Sequence, residues 1–203
     1  YVIIEASSFQ LSHSKFICPN YAFLLNLTND HLDWHGSIKN YLNSKLKIFH
    51  LQNKNHYALA NNNFRKIFNN KKFLGKFKVP KISRFKKIKH KINNSYLTSG
   101  INDENMGFIL AFAKLININE NRFINSMKTF KGLPHRFEIF LKKNSITFIN
   151  DSKATSFEAT RSALANLSNI YWILGGLPKK NDKVELSKIK KNIIKCYLIG
   201  KST

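Results

Sequence analysis

The chain has 203 residues, of which 43% are hydrophobic and 13% aromatic, enough to bury one or two cores and to exclude intrinsic disorder. Its formal net charge of +23 would suit nucleic acid or an anionic membrane as a partner. The lysines are spread along the whole chain among many asparagines, as at 69–72, which favours a bias in residue usage on solvated faces. We therefore predict no nucleic-acid partner.

Cysteine usage and hydropathy bear on the cellular compartment. Cys18 and Cys196 lie far apart without metal-ligand spacing, and they fit a reducing compartment. The sequence holds no run of 18 or more apolar residues, so it predicts no membrane span. We expect a cytoplasmic protein. Its first residues lie within an apparent strand and its last lead out of another, so both ends are interpreted as cuts.

The first half of the chain alternates predicted strands and helices. Short apolar runs at 2–4 and 22–27 predict buried parallel strands. Ser37 is a suitable N-cap for a helix that reaches about residue 51. A strand at 56–60, a short helix at 64–68, an edge strand at 79–82 and helices at 103–116 and 120–130 are predicted to follow. The rest of the basic segment 71–98 carries little pattern.

The second half begins at Gly132-Leu133-Pro134, the best internal boundary, because Gly and Pro punctuate the pattern there. Beyond it the sequence predicts a hairpin of strands at 137–141 and 145–149, a helix capped by Ser156, a strand at 171–174, a basic helix at 185–194 and a final strand. This alternation predicts an α/β fold with mainly parallel sheets, in two domains at 1–131 and 132–203.

Lys45 lies on the apolar stripe of the predicted helix that begins after Ser37. The stripe consists of Ile38, Tyr41, Leu42, Leu46 and Phe49, at helical spacing. Geometry alone favours a lysine whose stem packs while its ammonium reaches water. The alternative is a buried amine with a depressed pKa, whose neutral form would be available for chemistry.

Polar residues follow both early strands. Glu5 follows the first, and the loop with Asp30, His31 and Asp33 follows the second. If these strands are neighbours, the carboxylates and the imidazole meet at the sheet edge where open α/β sheets bind ligands, and they could hold Mg²⁺. Turn residues that only form hydrogen bonds remain the alternative.

Three further loops carry polar residues in the second half. Arg136 follows the boundary and could contact phosphate or form an interdomain salt bridge. Residues 150–155 link a strand to a helix, where they could bind a ribose and an anion or simply cap the helix. The Gly-Gly turn at 175–176, with Lys179 beyond it, is not a phosphate-binding fingerprint by itself.

Taken together, these segments resemble the Mur ligase family, and within it the ligases for D-glutamate. The similar segments are EASSFQL at 5–11, NLTNDHLD at 26–33, KLKIF at 45–49, GLPHRFE at 132–138 and NDSKAT at 150–155. Sister ligases for other amino acids and for folate polyglutamylation typically differ in the last segment. The resemblance covers essentially the whole chain and is weakest over 55–98.

The resemblance implies an ATP-dependent, carbon–nitrogen bond-forming ligase that uses Mg²⁺ and works as a monomer. It would join D-glutamate to UDP-N-acetylmuramoyl-L-alanine through an acyl phosphate in peptidoglycan synthesis. The implied fold is a P-loop-type central domain followed by part of a Rossmann-like domain. The family's Gly-Lys-Thr phosphate loop, its uracil-binding domain and its closing segment are not in the sequence, so we expect the 203 residues alone to be inactive.

The resemblance also implies roles for single residues. Glu5 and His31 would organise Mg²⁺, and Lys45 would be carbamylated to give a further oxygen ligand. His31, Lys45 and Lys153 would be catalytic. The implied contacts with nucleotide and substrate are Asn102 and Asn105 on the adenine side, Arg136 at phosphate, Asp151 at ribose, and Ser7, Thr155 and Lys179 at substrate. Ile101 stands where the family usually has His. Another Mur or folylpolyglutamate-type ligase, or a non-catalytic basic fragment, remains the alternative.

Overall fold

The structure is a computed structural model that describes residues 1–28, 31–176, 187 and 189–200, without the side chain of Glu158. Its contacts divide the chain into two compact units, the first formed by 1–82 and 107–115 and the second by 83–106 and 116–203. The α/β class predicted from the sequence is confirmed. The domain boundary predicted between residues 131 and 132 stays a prediction.

The first unit is built around a parallel sheet with the order β1-β2-β3. Its strands are β1 (Tyr21–Leu24), β2 (Tyr57–Ala60) and β3 (Lys76–Lys78). The central strand β2 has no polar side chain except its first tyrosine, because helices and neighbouring strands cover it, and Ala58, Leu59 and Ala60 are fully buried. The apolar core around it contains Ala22, Leu24, Leu46, Phe49, Ala58, Ala60, Phe64 and Phe68.

The helices of the first unit lie before, between and after its strands along the chain. They are α1 (Ser8–His13), α2 (Leu32–His35), α3 (Ile38–Leu46), α4 (Arg65–Asn70), the start of α5 (Ile82–Ile88) and the second half of α7 (Asp103–Leu115). The predicted cap Ser37 is confirmed, since its side chain accepts a hydrogen bond from the Asn40 N–H at 3.2 Å. A 3₁₀ turn at Lys47–Phe49 extends α3 toward the predicted end.

Two predicted strands of the first unit are wrong. Residues 2–4 form no ladder with the described strands, and Val2, Ile3 and Ile4 are 87%, 91% and 70% exposed. An apolar run becomes a strand only where a neighbouring strand completes its hydrogen bonds. The edge strand predicted at 79–82 lies earlier, at Lys76–Lys78, because Pro80 lacks the N–H that a ladder requires.

In its described residues, the second unit contains the remaining helices and two small sheets. Its helices are the rest of α5, α6 (Ser95–Thr98), the start of α7, α8 (Glu120–Lys128) and α9 (Phe157–Asn166). The strands β4 (Glu138–Lys143) and β5 (Ile146–Asn150) form the predicted hairpin, while β6 (Ile170–Gly175) and β7 (Ile193–Ile199) pair in parallel. The caps predicted at Asn119 and Ser156 are confirmed.

The basic helix predicted at 185–194 is wrong where it can be checked. Lys190–Asn192 forms a 3₁₀ turn and Ile193 already begins β7, because the branched side chains at 193 and 194 suit a pleated strand. Residues 185, 186 and 188 lie outside the described residues. Within the part of the chain that is described, no helix is long and apolar enough to cross a membrane.

Candidate active site

The first cluster of candidate residues consists of Glu5, Ser7, His31 and Lys45. Ser7 caps helix α1. Its hydroxyl accepts from the Gln10 N–H at 3.2 Å, and its own N–H donates to Gln10 Oε1 at 2.8 Å. This reciprocal capping box fixes the start of α1 and orients Phe9 and Ser8 behind it. Glu5, two residues earlier, is exposed. The substrate role of Ser7 and the metal role of Glu5 stay predictions.

His31 stands where the loop after β1 enters helix α2, in the left-handed conformation with φ 56°. A residue with a Cβ adopts this conformation only when its surroundings hold it there. Its ring meets Phe9 edge-on at 4.8 Å between ring centroids and lies 6.1 Å from Tyr41. Its carbonyl oxygen accepts from the His35 N–H at 3.0 Å. Asp30 lies outside the described residues.

Lys45 is only partly buried. The fully buried amine, which was one of the two alternatives for a lysine on the apolar stripe, is not observed. Its Nζ donates to the Asn26 carbonyl oxygen at 3.3 Å and lies 5.0 Å above the Tyr41 ring. Ile38, an expected neighbour in the stripe, is 41% exposed, because the first turn of α3 stands away from the core. The amine therefore reaches the carboxyl end of β1, and Tyr41 contacts both Lys45 and His31. Carbamylation of Lys45 stays a prediction.

Glu5, His31 and Lys45 were also predicted to lie at a Mg²⁺ site. Among the described residues, no group of three or more His, Cys, Asp or Glu side chains could hold a metal ion. Asp30 is not among the described residues, and the role of Glu5 and His31 as Mg²⁺ ligands stays a prediction.

His35 is a buried residue of this cluster that the sequence analysis missed. It is 6% exposed, and its Nε2 lies 3.0 Å from Ser8 Oγ while its Nδ1 lies 3.5 Å from Ser44 Oγ. Burial, followed by the charge of His31, lowers the pKa of His35 below its ordinary value. The one signal in the sequence was its position four residues after His31, on the next turn of a short helix.

In the second unit, two predicted loops are joined through backbone groups. Asp151 Oδ1 accepts from the Phe137 N–H at 2.9 Å, and the Lys153 N–H donates to the His135 carbonyl oxygen at 3.0 Å. Asn150 Nδ2 and His135 Nδ1 lie 2.8 Å apart. His135 and Phe137 both have positive φ, 63° and 48°, so these contacts hold a strained turn in place.

Asp151 is the half-buried acid of this joined loop. Burial raises its pKa above the ordinary value of 3.8, while the Phe137 N–H and the Arg136 charge act in the opposite direction. Arg136, Lys153 and Thr155 are exposed beside it. The structure thus brings four of the predicted nucleotide and substrate residues to one turn. Three of the four present a side chain to solvent.

Asn102 and Asn105 lie elsewhere in the second unit. Asn102 Nδ2 donates to the Tyr96 carbonyl oxygen at 2.7 Å, and Asn105 is exposed. The turn that holds Asn102 contacts the far end of α9, where a Cβ on Gly100 would lie 2.4 Å from Asn166 Oδ1. The ten residues of α9 separate that end from the 150–155 loop by roughly 15 Å at 1.5 Å per residue. Lys179 lies outside the described residues.

Comparison with known proteins identifies the family. The chain is 35% identical to the UDP-N-acetylmuramoylalanine–D-glutamate ligase of Rickettsia felis, a match that covers 98% of this chain and 49% of that protein. It is 32% identical to the ligase of the same name from Pseudothermotoga lettingae, again over 98% of this chain and 49% of the relative. The chain therefore spans about half the length of the curated relatives it matches.

A solved structure and a family model complete the comparison. The crystal structure of MurF ligase from Thermotoga maritima in complex with ADP matches with a TM-score of 0.59 and 14% identity, over 88% of this chain and 53% of that chain. At that identity the likeness shows the fold alone. Residues 1–142 match the model of the Mur ligase middle domain. The chain belongs to the Mur ligase family.

Proposed function

We propose that the chain is part of an ATP-dependent ligase that joins D-glutamate to UDP-N-acetylmuramoyl-L-alanine during peptidoglycan precursor synthesis. The observation that carries this proposal is the similarity of nearly the whole chain to D-glutamate ligases, 35% over 98% of its length in one case. The joined turn around Asp151 supports it, because it gathers an acid, two cations and a hydroxyl at one exposed surface. The enzyme would work in the cytoplasm as a monomer and support cell-wall growth and division.

The proposed reaction has two steps. A carboxylate oxygen of the alanine end attacks the γ-phosphorus of ATP, the bond to the bridging oxygen breaks, and ADP leaves. The amine nitrogen of D-glutamate then attacks the acyl carbon, phosphate leaves with the carbon–oxygen electron pair, and the nitrogen loses a proton. Catalysis would come mainly from positioning and from charge neutralisation.

That work would be divided among residues of the first cluster, the turn around Asp151 and three residues outside both, Asn102, Asn105 and Lys179. Arg136 would contact a nucleotide phosphate and Asp151 the ribose, while Lys153 and Thr155 would orient D-glutamate. Asn102 and Asn105 would contact the adenine side, and Ser7 and Lys179 the substrates. When bound, Mg²⁺ would neutralise phosphate charge, with Glu5 and His31 as its proposed ligands and carbamylated Lys45 beside them.

The proposal is tested with the full-length protein that carries this segment. In the presence of Mg²⁺, the release of phosphate from ATP should require both UDP-N-acetylmuramoyl-L-alanine and D-glutamate. L-Lysine, meso-diaminopimelate and D-alanyl-D-alanine, each with its matching UDP precursor, serve as competing substrates, and folate with L-glutamate tests the folylpolyglutamate alternative. Faster turnover with any of these than with D-glutamate would assign the chain to another ligase of the family.

A further inference from the structure

His35 occupies the centre of the first cluster without belonging to the residues assigned to the reaction. Its ring stacks on Phe9 at 5.6 Å between ring centroids with an interplanar angle of 25°, and lies 5.1 Å from Tyr41. Phe9 and Tyr41 also contact the His31 ring. The rings of His31 and His35 therefore both pack against Phe9 and Tyr41.

Tyr41 extends this arrangement to the third residue of the cluster. Lys45 Nζ lies 5.0 Å above its ring, at a distance where a cation is attracted to the aromatic face. Rotation of the Tyr41 ring would consequently change the surroundings of His31 and of Lys45 together. Close packing permits little such rotation while the His35 ring remains in place.

Two serine hydroxyls, one at each ring nitrogen, orient the imidazole of His35. Ser44 Oγ donates to the Asn40 carbonyl oxygen at 3.0 Å and lies 3.5 Å from His35 Nδ1, toward which it can act as an acceptor. This arrangement favours a proton on Nδ1, which leaves Nε2 to accept from the Ser8 hydroxyl at 3.0 Å. An apolar side chain could fill the space but could not fix an orientation.

We propose that His35 is a positioning residue of the ligase reaction, whose oriented imidazole sets Phe9 and Tyr41 and, through them, His31 and Lys45. The inference rests on the proposed function for its kinetic consequence alone. Residues that orient groups around a site typically contribute 10–100-fold to activity or affinity when removed. The tautomer and the ring contacts can be measured whatever reaction the protein catalyses.

The decisive variant is Ser8→Ala in the full-length protein, because it removes the donor to His35 Nε2 and adds no atom. Ser12→Ala is its matched control, since Ser12 belongs to the same helix and its hydroxyl donates to the Phe9 carbonyl oxygen instead. We expect Ser8→Ala to lower kcat about 10-fold or more with KM for ATP and D-glutamate nearly unchanged, and Ser12→Ala to change kcat by less than about twofold.

Ring ¹⁵N spectra of labelled histidine provide the readout that does not depend on activity. Wild type should show His35 neutral and protonated at Nδ1, and the ring signals of His31 should shift in Ser8→Ala but not in Ser12→Ala. If Ser8→Ala does not fold, Ser44→Ala replaces it and should shift the same signals less, since its contact is longer.

Two results would overturn the inference. One is a His35 that is charged or protonated at Nε2 near pH 7.5. The other is a folded Ser8→Ala protein that loses thermal stability while keeping wild-type kcat and His31 signals, which is what packing alone predicts. An inactive wild type would refute the proposed function instead, and the ring spectra would still decide whether His35 positions His31.

Discussion

Replacing Asp151 should loosen the turn that joins the two loops of the second unit. Asp151 Oδ1 is the acceptor for the Phe137 N–H at 2.9 Å, and Phe137 is 8% exposed with φ 48°. Removing the acceptor leaves a donor beside a buried ring, a loss of about 1–3 kcal/mol. Asp151→Asn keeps an oxygen at that place and should cost much less than Asp151→Ala.

Amide hydrogen exchange at Phe137 measures this loss locally, without requiring the whole protein to unfold in one step. If opening of the turn governs exchange, about 1–3 kcal/mol corresponds to exchange that is roughly 5–150-fold faster in Asp151→Ala than in wild type. Asp151→Asn is the matched control and should remain close to wild type. Equal exchange rates in wild type and Asp151→Ala would show that the carboxylate does not hold the turn.

The pH dependence of the same pair has a definite sign. The pKa of Asp151 lies above 3.8 in the folded chain, chiefly because burial disfavours the carboxylate. The folded chain then binds this proton more tightly than the unfolded chain, so the linked stabilisation is complete below the unfolded pKa and is lost as pH rises through the folded pKa. The free energy of unfolding of wild type minus that of Asp151→Asn should fall as pH rises from below 3.8 through the raised pKa of the folded chain. If this difference in the free energy of unfolding rises with pH, the pKa of Asp151 is not raised in the folded chain.

Three further substitutions separate chemistry from folding. In the full-length enzyme, Lys45→Ala should lose most activity and recover part of it with acetate, but not with chloride, if a carbamate normally fills that position; a flat acetate titration would contradict this. Arg136→Ala should lower turnover about 10²–10³-fold with little change in melting temperature, because its exposed guanidinium contributes charge rather than packing; a change below about threefold would assign it to structure. Gln52→Ala should lower the free energy of unfolding, measured by urea titration, by about 2–4 kcal/mol. The reason is that Nε2 of the buried Gln52 donates to the Pro19 and Tyr57 carbonyl oxygens at 2.9 and 3.0 Å. An unchanged midpoint of the urea titration would contradict this prediction.

Local signals in the sequence predicted those parts of the fold that depend on neighbouring residues. Ser37, Asn119 and Ser156 cap helices because each accepts from an N–H three residues ahead, a contact that the sequence already contains. The hairpin turn at Asn144 and Ser145 is equally local, with φ of 48° and 63°. These predictions required no knowledge of tertiary structure.

Non-local contacts account for what the sequence did not reveal. The run at 2–4 has the composition of a strand, but a ladder depends on a partner that periodicity cannot identify. His35 bonds to Ser8, 27 residues earlier, and to Ser44, nine residues later, so its place at the centre of the cluster follows only from the fold. Family resemblance supplied roles for His31 and Lys45 but no account of what orients them.

The first cluster and the turn around Asp151 are each held in place by a different kind of contact. This difference decides which substitutions are informative. In the second unit the turn is fixed by backbone groups and by Asp151, so Arg136 and Lys153 remain exposed and can be changed without loosening it. In the first unit Lys45 donates to the Asn26 carbonyl oxygen, but the other described contacts around His31 and Lys45 come from side chains, namely Phe9 and Tyr41 with the His35 imidazole behind them. A substitution there alters geometry and stability together. Kinetics alone therefore suffices at Arg136, whereas the first cluster requires a spectroscopic readout beside the kinetic one.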